Sequence, residues 1–228
     1  MEKGKICLLL ICVAIVAFLE GNALTGRNCA VRTGALENRT ADQDEAVVAL
    51  TFDDGPHPVY TPEMLDGLRE RGVRATFFLQ GQCIEGNEEI VRQMQADGHL
   101  IGNHTFSHVQ LTKLSPEAAK EEVVKTSSAI YNITGVYTSF VRPPFGEWPK
   151  GLEFKVTMIP VLWTVDSKDW YTQNTPVSVK EVLNAVEPGD IILMHDAYET
   201  SVESAMQIVD ALKKEGYEFV TVDELILT

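Results

Sequence analysis

Two adjacent carboxylates, Asp53 and Asp54, end the apolar run 46–52 and are followed by Gly55-Pro56. A run of this kind reads as a buried strand. Side chains alternate across a strand, so the two carboxylates leave the backbone in different directions. Like charges at such a position raise each other's cost of ionisation, which a cation or a shared proton-transfer duty would relieve. Taken alone, the stretch also suits an Asx-type turn before Gly-Pro. His104 and His108 stand four residues apart. On a helical turn that spacing puts both imidazoles on one face, where they can chelate one metal ion. A carboxylate from Asp54 or Asp53 completes a set of two imidazoles and one carboxylate. With positions left open for water, such a set suits a catalytic zinc or a similar divalent ion.

Three further strand ends carry reactive side chains. Arg142 precedes Pro143-Pro144, which stop a ladder and stiffen the turn. A guanidinium there is placed to orient and charge-stabilise a carboxylate. The stretch Trp163–Trp170 brings Asp166, Asp169 and an aromatic ring after a strand; Trp170 is either core or the wall of a sugar-binding groove. His195 ends the run Ile191–Met194, and a carboxylate partner, Asp166 above all, could raise its pKa and keep it protonated as an acid.

These groups need a frame that gathers strand ends. Apolar runs at 46–52, 75–79, 100–103, 138–141, 158–165, 190–194 and 219–221 read as strands. Helices are expected between most of them. One opens at Thr61-Pro62-Glu63 with Thr61 as N-cap, one spans 87–96, one starts at Ser115-Pro116-Glu117, and one follows Thr200, whose spacing to Glu203 fits a capping box. The C-terminal Asp223-Glu224-Leu225 reads as a turn. Alternating strands and helices, with strands that are continuous apolar runs, predict a single α/β domain over 45–228. Its parallel sheet is covered by helices, either open or closed into a barrel. In such folds the functional residues gather at the carboxyl ends of the strands.

Basic Lys3 and Lys5, the uncharged run Ile6–Leu19 and small residues at Gly21 and Ala23 predict a secretory signal over 1–23, followed by a polar arm over 24–44. No other stretch of the mature chain could span a membrane, so a secreted protein of the cell surface or cell wall is expected. A net charge of −14 over 228 residues argues against nucleic acid or an anionic membrane as partner. Two of the four cysteines fall in the signal, leaving Cys29 and Cys83 able to pair in an oxidising compartment. The sequons at Asn38 and Asn132 agree with secretion, whereas the one at Asn103 falls in the site.

The ordered blocks TFDDGP (Thr51–Pro56), NHTFSH (Asn103–His108), RPPFGE (Arg142–Glu147), DSKDW (Asp166–Trp170) and ILMHD (Ile192–Asp196) resemble the polysaccharide deacetylase family, the carbohydrate esterases with a NodB-homology domain. The resemblance runs from about Ala46 to the C-terminus. It implies a distorted (β/α) barrel with fewer than eight parallel strands. It also implies a metal-dependent N-deacetylase, zinc or cobalt, acting as a monomer on N-acetylglucosamine polymers such as chitin or peptidoglycan. By residue it implies Asp54, His104 and His108 as metal ligands, Asp53 as general base and Arg142 as the residue holding Asp53. It implies the Phe145 N–H as oxyanion donor and His195 as the acid, tuned by Asp166. Trp170 and Leu193 would shape the acetyl pocket.

The chain departs from the family pattern in two places. Phe145 stands where the family usually has Tyr. The stretch Trp148–Thr157 is too short for the family's amphipathic helix there, and Pro149 and Gly151 are poor in a helix interior. If the loop holding Arg142 and Phe145 lost its support, the chain would be a non-catalytic relative with a structural or glycan-associated role in the cell wall.

Overall fold

A computed structural model describes residues 46–154 and 157–227. The expected signal and arm, Cys29 and the Asn38 sequon lie outside the described residues, so pairing of Cys83 with Cys29 does too. Among the described residues no helix is long and apolar enough to cross a membrane.

Eight strands form one parallel sheet: β1 (Val47–Asp53), β2 (Thr76–Leu79), β3 (Leu100–Asn103), β4 (Phe140–Val141), β5 (Ile159–Pro160), β6 (Val165–Asp166), β7 (Ile191–His195) and β8 (Glu218–Val220). Seven lie on one path in the order β5-β4-β3-β2-β1-β7-β6. The eighth pairs only with the start of β1, at Val47–Ala49, below the residues that pair with β2. The expected run Met158–Val165 is thus two short strands. Pro160 lacks an N–H and fits only at a sheet edge, where β5 sits. Four residues, 161–164, then carry the chain from one edge of the path to the other. Fully extended they span roughly 17 Å between flanking Cα atoms. The sheet must therefore curl until its edges approach, giving an unclosed, distorted barrel.

The helices are α1 (Tyr60–Glu70), α2 (Glu88–Ala96), α3 (Pro116–Thr134), α4 (Asp169–Thr172), α5 (Thr175–Ala185), α6 (Glu199–Lys214) and α7 (Val222–Leu227). Helix α3 forms as its sequence dictates. The Ser115 side chain accepts from the Ala118 N–H, Pro116 opens the first turn, and Gly135, at φ 70°, ends it in the left-handed region. Its stripe Ala119, Val123, Thr126 and Ile130 is buried. Elsewhere tertiary bonds displace local ones. Thr61 is not the N-cap of α1; the His57 imidazole accepts from Val59 N and Tyr60 N instead, and the Thr61 hydroxyl donates to Asp196 at 2.5 Å. The expected capping box at Thr200 is likewise absent: α6 starts two residues earlier, with Tyr198 at the N-cap, and Ser201 donates to Asp169 at 2.6 Å. The C-terminal turn proves to be helix α7, and the unforeseen α5 is capped by Asn174, which accepts from Val177 N.

The stretch after Gly146 bears no helix among its described residues. It is held by packing instead. Trp148, Leu152, Phe154 and Met158 lie against Leu111, Ala119, Val123 and Val141. Glu147 accepts from Gln110 and Thr112, both at 2.6 Å. The loop that bears Arg142 and Phe145 therefore keeps a base, built from side chains rather than from a helix.

Packing is close where β2 and β3 support Arg142. A Cβ at Gly102 of β3 would meet the Phe78 ring at 2.4 Å, and Phe78 in turn lies under the Arg142 guanidinium, 4.3 Å from ring centroid to Cζ. Gly102→Ala is expected to destabilise the protein by about 1–3 kcal/mol through overpacking, read as a lower urea midpoint with unchanged m-value. An unchanged midpoint would contradict this packing.

Candidate active site

The carboxyl ends of β1, β3, β4, β6 and β7 open into one cavity of about 450 Å³. Its walls include Asp53, Asp54, His104, His108, Phe145, Asp166, Trp170, Leu193 and His195, and every sequence-predicted site residue except Arg142 lines it. Arg142 lies fully buried beneath it. Register explains the gathering. Thr51 pairs with Leu193 and Asp53 with His195, so alternation puts all four on one face of adjacent strands.

The two carboxylates part as expected. Asp53 is buried and accepts from Arg142 Nη1 at 2.8 Å. The same Nη1 donates to Thr51 Oγ1 at 2.7 Å, while Nε and Nη2 donate to the carbonyls of Val161 and Leu162 on the segment that crosses between the sheet edges. Asp54, at φ 78°, turns the other way. Its Oδ1 accepts from Gln80 Nε2 at 2.6 Å and lies 3.5 Å from both His104 Nε2 and His108 Nε2.

His104 and His108 do meet, but not on a helical turn. Residues 104–108 form an irregular loop with Thr105 at φ 65° and His108 at φ 54°. Such backbone is uncommon for non-glycine residues. Asp54 and Phe145, at φ 62°, share it, so three strained residues line one cavity.

The donor set fits a divalent cation. Asp54, His104 and His108 each offer a ligand atom, all within 4.8 Å of one another. Ligands held at about 2.0–2.1 Å in a tetrahedral array lie roughly 3.3 Å apart, close to the two 3.5 Å separations. His104 Nδ1 is 2.7 Å from the Arg142 carbonyl, which can only accept, so the proton sits on Nδ1 and Nε2 keeps its lone pair. Burial, outweighing the nearby carboxylates, holds the His104 pKa below its ordinary value and keeps the ring neutral.

The acid candidate is wired differently from the sequence expectation. His195 Nδ1 lies 2.9 Å from Asp169, not Asp166, and Asp169 also accepts from the His195 N–H, Ser201 and Ser167. Asp166 sits on the cavity wall and accepts from its own loop, at Lys168 N. The alternation of β6 and the turn after it bring Asp169, three residues on, beneath the imidazole. Burial pushes the His195 pKa down, but the Asp169 carboxylate more than offsets it and, with Asp53 and Asp54, lifts it to about 9. Trp170 is 50% exposed and lines the cavity, so it is not a core residue. Phe145 is exposed and meets the His108 ring edge-on at 5.2 Å. Pro143, Trp163 and Tyr198 complete the cavity without having been singled out. Pro143 follows strand-end Arg142, Trp163 opens the stretch that leads to Trp170, and Tyr198 lies three residues beyond a strand-end histidine.

A raised His195 pKa stabilises the fold below the ordinary histidine value of about 6.5, and that stabilisation is lost as pH rises through about 9. Asp169→Asn removes the largest of the contributions that raise it and leaves burial opposed only by Asp53 and Asp54. In the metal-free protein the His195 ring should then titrate well below 9 by NMR. An unmoved titration would contradict the pairing.

A sequence profile of the Polysaccharide deacetylase family matches residues 40–157. The chain is 39% identical over 178 residues to the peptidoglycan-N-acetylglucosamine deacetylase PgdA of Listeria monocytogenes, a match covering 78% of this chain and 38% of that protein. The chain thus spans well under half the length of that relative. It is 34% identical to a chitooligosaccharide deacetylase of a Bradyrhizobium species, over 75% of this chain and 86% of the other. The structure of peptidoglycan deacetylase PdaC from Bacillus subtilis superposes with a TM-score of 0.77 at 38% identity, covering 81% of this chain and 91% of that one. Its sequence and its fold together place this chain in the polysaccharide deacetylase family.

Proposed function

We propose that this chain is a secreted, metal-dependent polysaccharide N-deacetylase that removes acetyl groups from N-acetylglucosamine units of a cell-wall glycan. The observation that carries the reading is the convergence of Asp54, His104 and His108 beside an Asp53 held by Arg142, with His195 paired to Asp53 across β1 and β7. The names of the relatives support the substrate class, with peptidoglycan and chitooligosaccharides both represented among them. Bound by the three ligands, zinc or cobalt would supply Lewis acidity, acidifying water and polarising the acetamide carbonyl.

The chain's own groups divide the remaining work. Asp53, fixed by Arg142, takes the proton from the attacking water. The Phe145 N–H faces the oxygen that gains charge as the carbonyl becomes tetrahedral. His195, protonated through Asp169, gives its proton to the departing amine, so the C–N bond breaks with a neutral leaving group. Leu193 and Trp170 bound the space for the acetyl methyl. Asp169 takes the place beside the acid that the sequence offered to Asp166. The alternative of a non-catalytic relative rested on an unsupported loop after Gly146, and the packing of Trp148, Leu152 and Phe154 supplies that support.

Acetate release from N-acetylglucosamine oligomers and from peptidoglycan fragments, with zinc or cobalt added, tests the reading. Wild type is expected to exceed Asp53→Asn by a factor on the order of 100 or more on at least one substrate. Equal rates from folded, metal-loaded proteins would overturn it. Asp169→Asn should also move the alkaline fall of kcat to lower pH, because His195 then loses its proton earlier.

A further inference from the structure

The loop between the two imidazoles has no regular structure to hold it, yet its three amides and two of its carbonyls are hydrogen-bonded. The carbonyls of Thr105 and Phe106 accept from Gly81 N and Gln82 N, both at 2.9 Å. Thr105 N donates to Asn103 Oδ1 at 2.8 Å, and Asn103 is tied through its amide to Val123 O and Ser127 Oγ of α3. The two remaining amides and a hydroxyl all go to one side chain. Glu122 Oε2 accepts from Phe106 N at 3.0 Å and Ser107 N at 2.8 Å, and Glu122 Oε1 accepts from Ser107 Oγ at 2.9 Å. One turn further along α3, Lys125 Nζ stands 3.4 Å from the centroid of the Phe106 ring.

We infer that Glu122 is the positioning residue of the metal centre: its carboxylate clamps Phe106 and Ser107 so that His104 and His108 present their Nε2 atoms to one point. This rests on the reading of those histidines as ligands, but no family motif quoted above contains Glu122, and it touches neither the ion's ligand atoms nor the cavity. The physical case is one of preorganisation. Thr105 and His108 both occupy left-handed backbone, which persists only when surrounding bonds over-determine it. Without Glu122, two amides turn to water and the loop relaxes. His104 stays in place, bonded through Nδ1 to the Arg142 carbonyl, so His108 is the ligand set free. A carboxylate suits the position because it accepts all three bonds. A glutamine can keep both amides through its carbonyl and donate to Ser107 Oγ through its NH₂, losing only the charge.

The test is cobalt(II) affinity of the purified full chain, measured by competition with a chromophoric chelator and by the visible spectrum of the bound ion. Removing groups that orient metal ligands typically costs about 10–100-fold in affinity. Glu122→Ala should fall in that range, with an altered cobalt spectrum and activity regained at excess metal, and Glu122→Gln should recover most of the affinity. Ser115→Ala serves as the structural control. It removes the N-cap of the same helix and should lower the Tm while leaving cobalt affinity unchanged. If Glu122→Ala folds and binds cobalt as tightly as wild type, the positioning role is wrong while the metal site stands. The same holds if Ser115→Ala weakens binding equally. Should Glu122→Ala fail to fold, Ser107→Ala, which removes one of the three bonds, must still weaken binding measurably. If wild type itself binds no cobalt, the ligand assignment fails and the role of Glu122 with it.

Discussion

A fully buried guanidinium is the constraint on which this architecture turns. Taking Arg142 and Asp53 out of water costs several kcal/mol per ion, and their attraction offsets it only when the remaining donors and acceptors are also satisfied. Arg142 meets that condition with Asp53, Thr51 and the carbonyls of Val161 and Leu162. Two of those partners belong to the short segment that carries the chain across the gap between the edge strands. The same side chain therefore closes the seam of an open barrel and fixes one carboxylate. Removing it would strand Asp53 as an unpaired buried charge, a loss that typically costs about 3–5 kcal/mol. Stability and the placement of the proposed base are thus one interaction.

The second carboxylate is released by the first. With Asp53 tied inward, Asp54 is free to take left-handed backbone and turn toward the histidines, where Gln80 steadies it. Strain of this sort persists only inside a frame that over-determines it. Gln80 N also donates to the Gly55 carbonyl, and Gly55 packs so closely on Asp196 that a Cβ there would lie 2.2 Å from its Oδ2. Asp196 is wholly buried, and burial, with Asp54 nearby, lifts its pKa to about 7 against the hydrogen bond from Thr61. The turn after β1 is held from above by β2 and from the side by the residue that follows His195.

Much of the site was legible because strands were. Runs of apolar residues mark the ends of β1, β3 and β7, where chemistry in parallel sheets collects, although Asp54 parts from Asp53 through left-handed backbone just past β1 rather than through alternation. What escaped reading depends on contacts that no local pattern encodes. Asp166 is the strand-end acid by position, yet Asp169 reaches His195 because the turn between them folds under β7. The histidine pair mimics helical spacing while lying on a loop, since Glu122, fourteen residues beyond His108, supplies the bonds a helix would have made. Thr61 reads as a cap and is instead claimed by Asp196, far along the chain. Among its described residues the stretch after Gly146 bears no helix, in keeping with Pro149 and Gly151, but how it is held instead had no local signal. Scattered apolar residues at Trp148, Leu152 and Phe154 carry no periodicity, and only the folded chain shows that they share one cluster.

A crystal structure of the zinc-loaded protein, with the ion located by its anomalous signal, tests the division of labour between the two carboxylates most directly. The account predicts one peak at about 2.0–2.2 Å from the Asp54 carboxylate, His104 Nε2 and His108 Nε2, with Asp53 still bonded to Arg142 and outside the coordination shell. A peak bound by Asp53 with its bond to Arg142 broken, or one lying away from these three ligands, would contradict it.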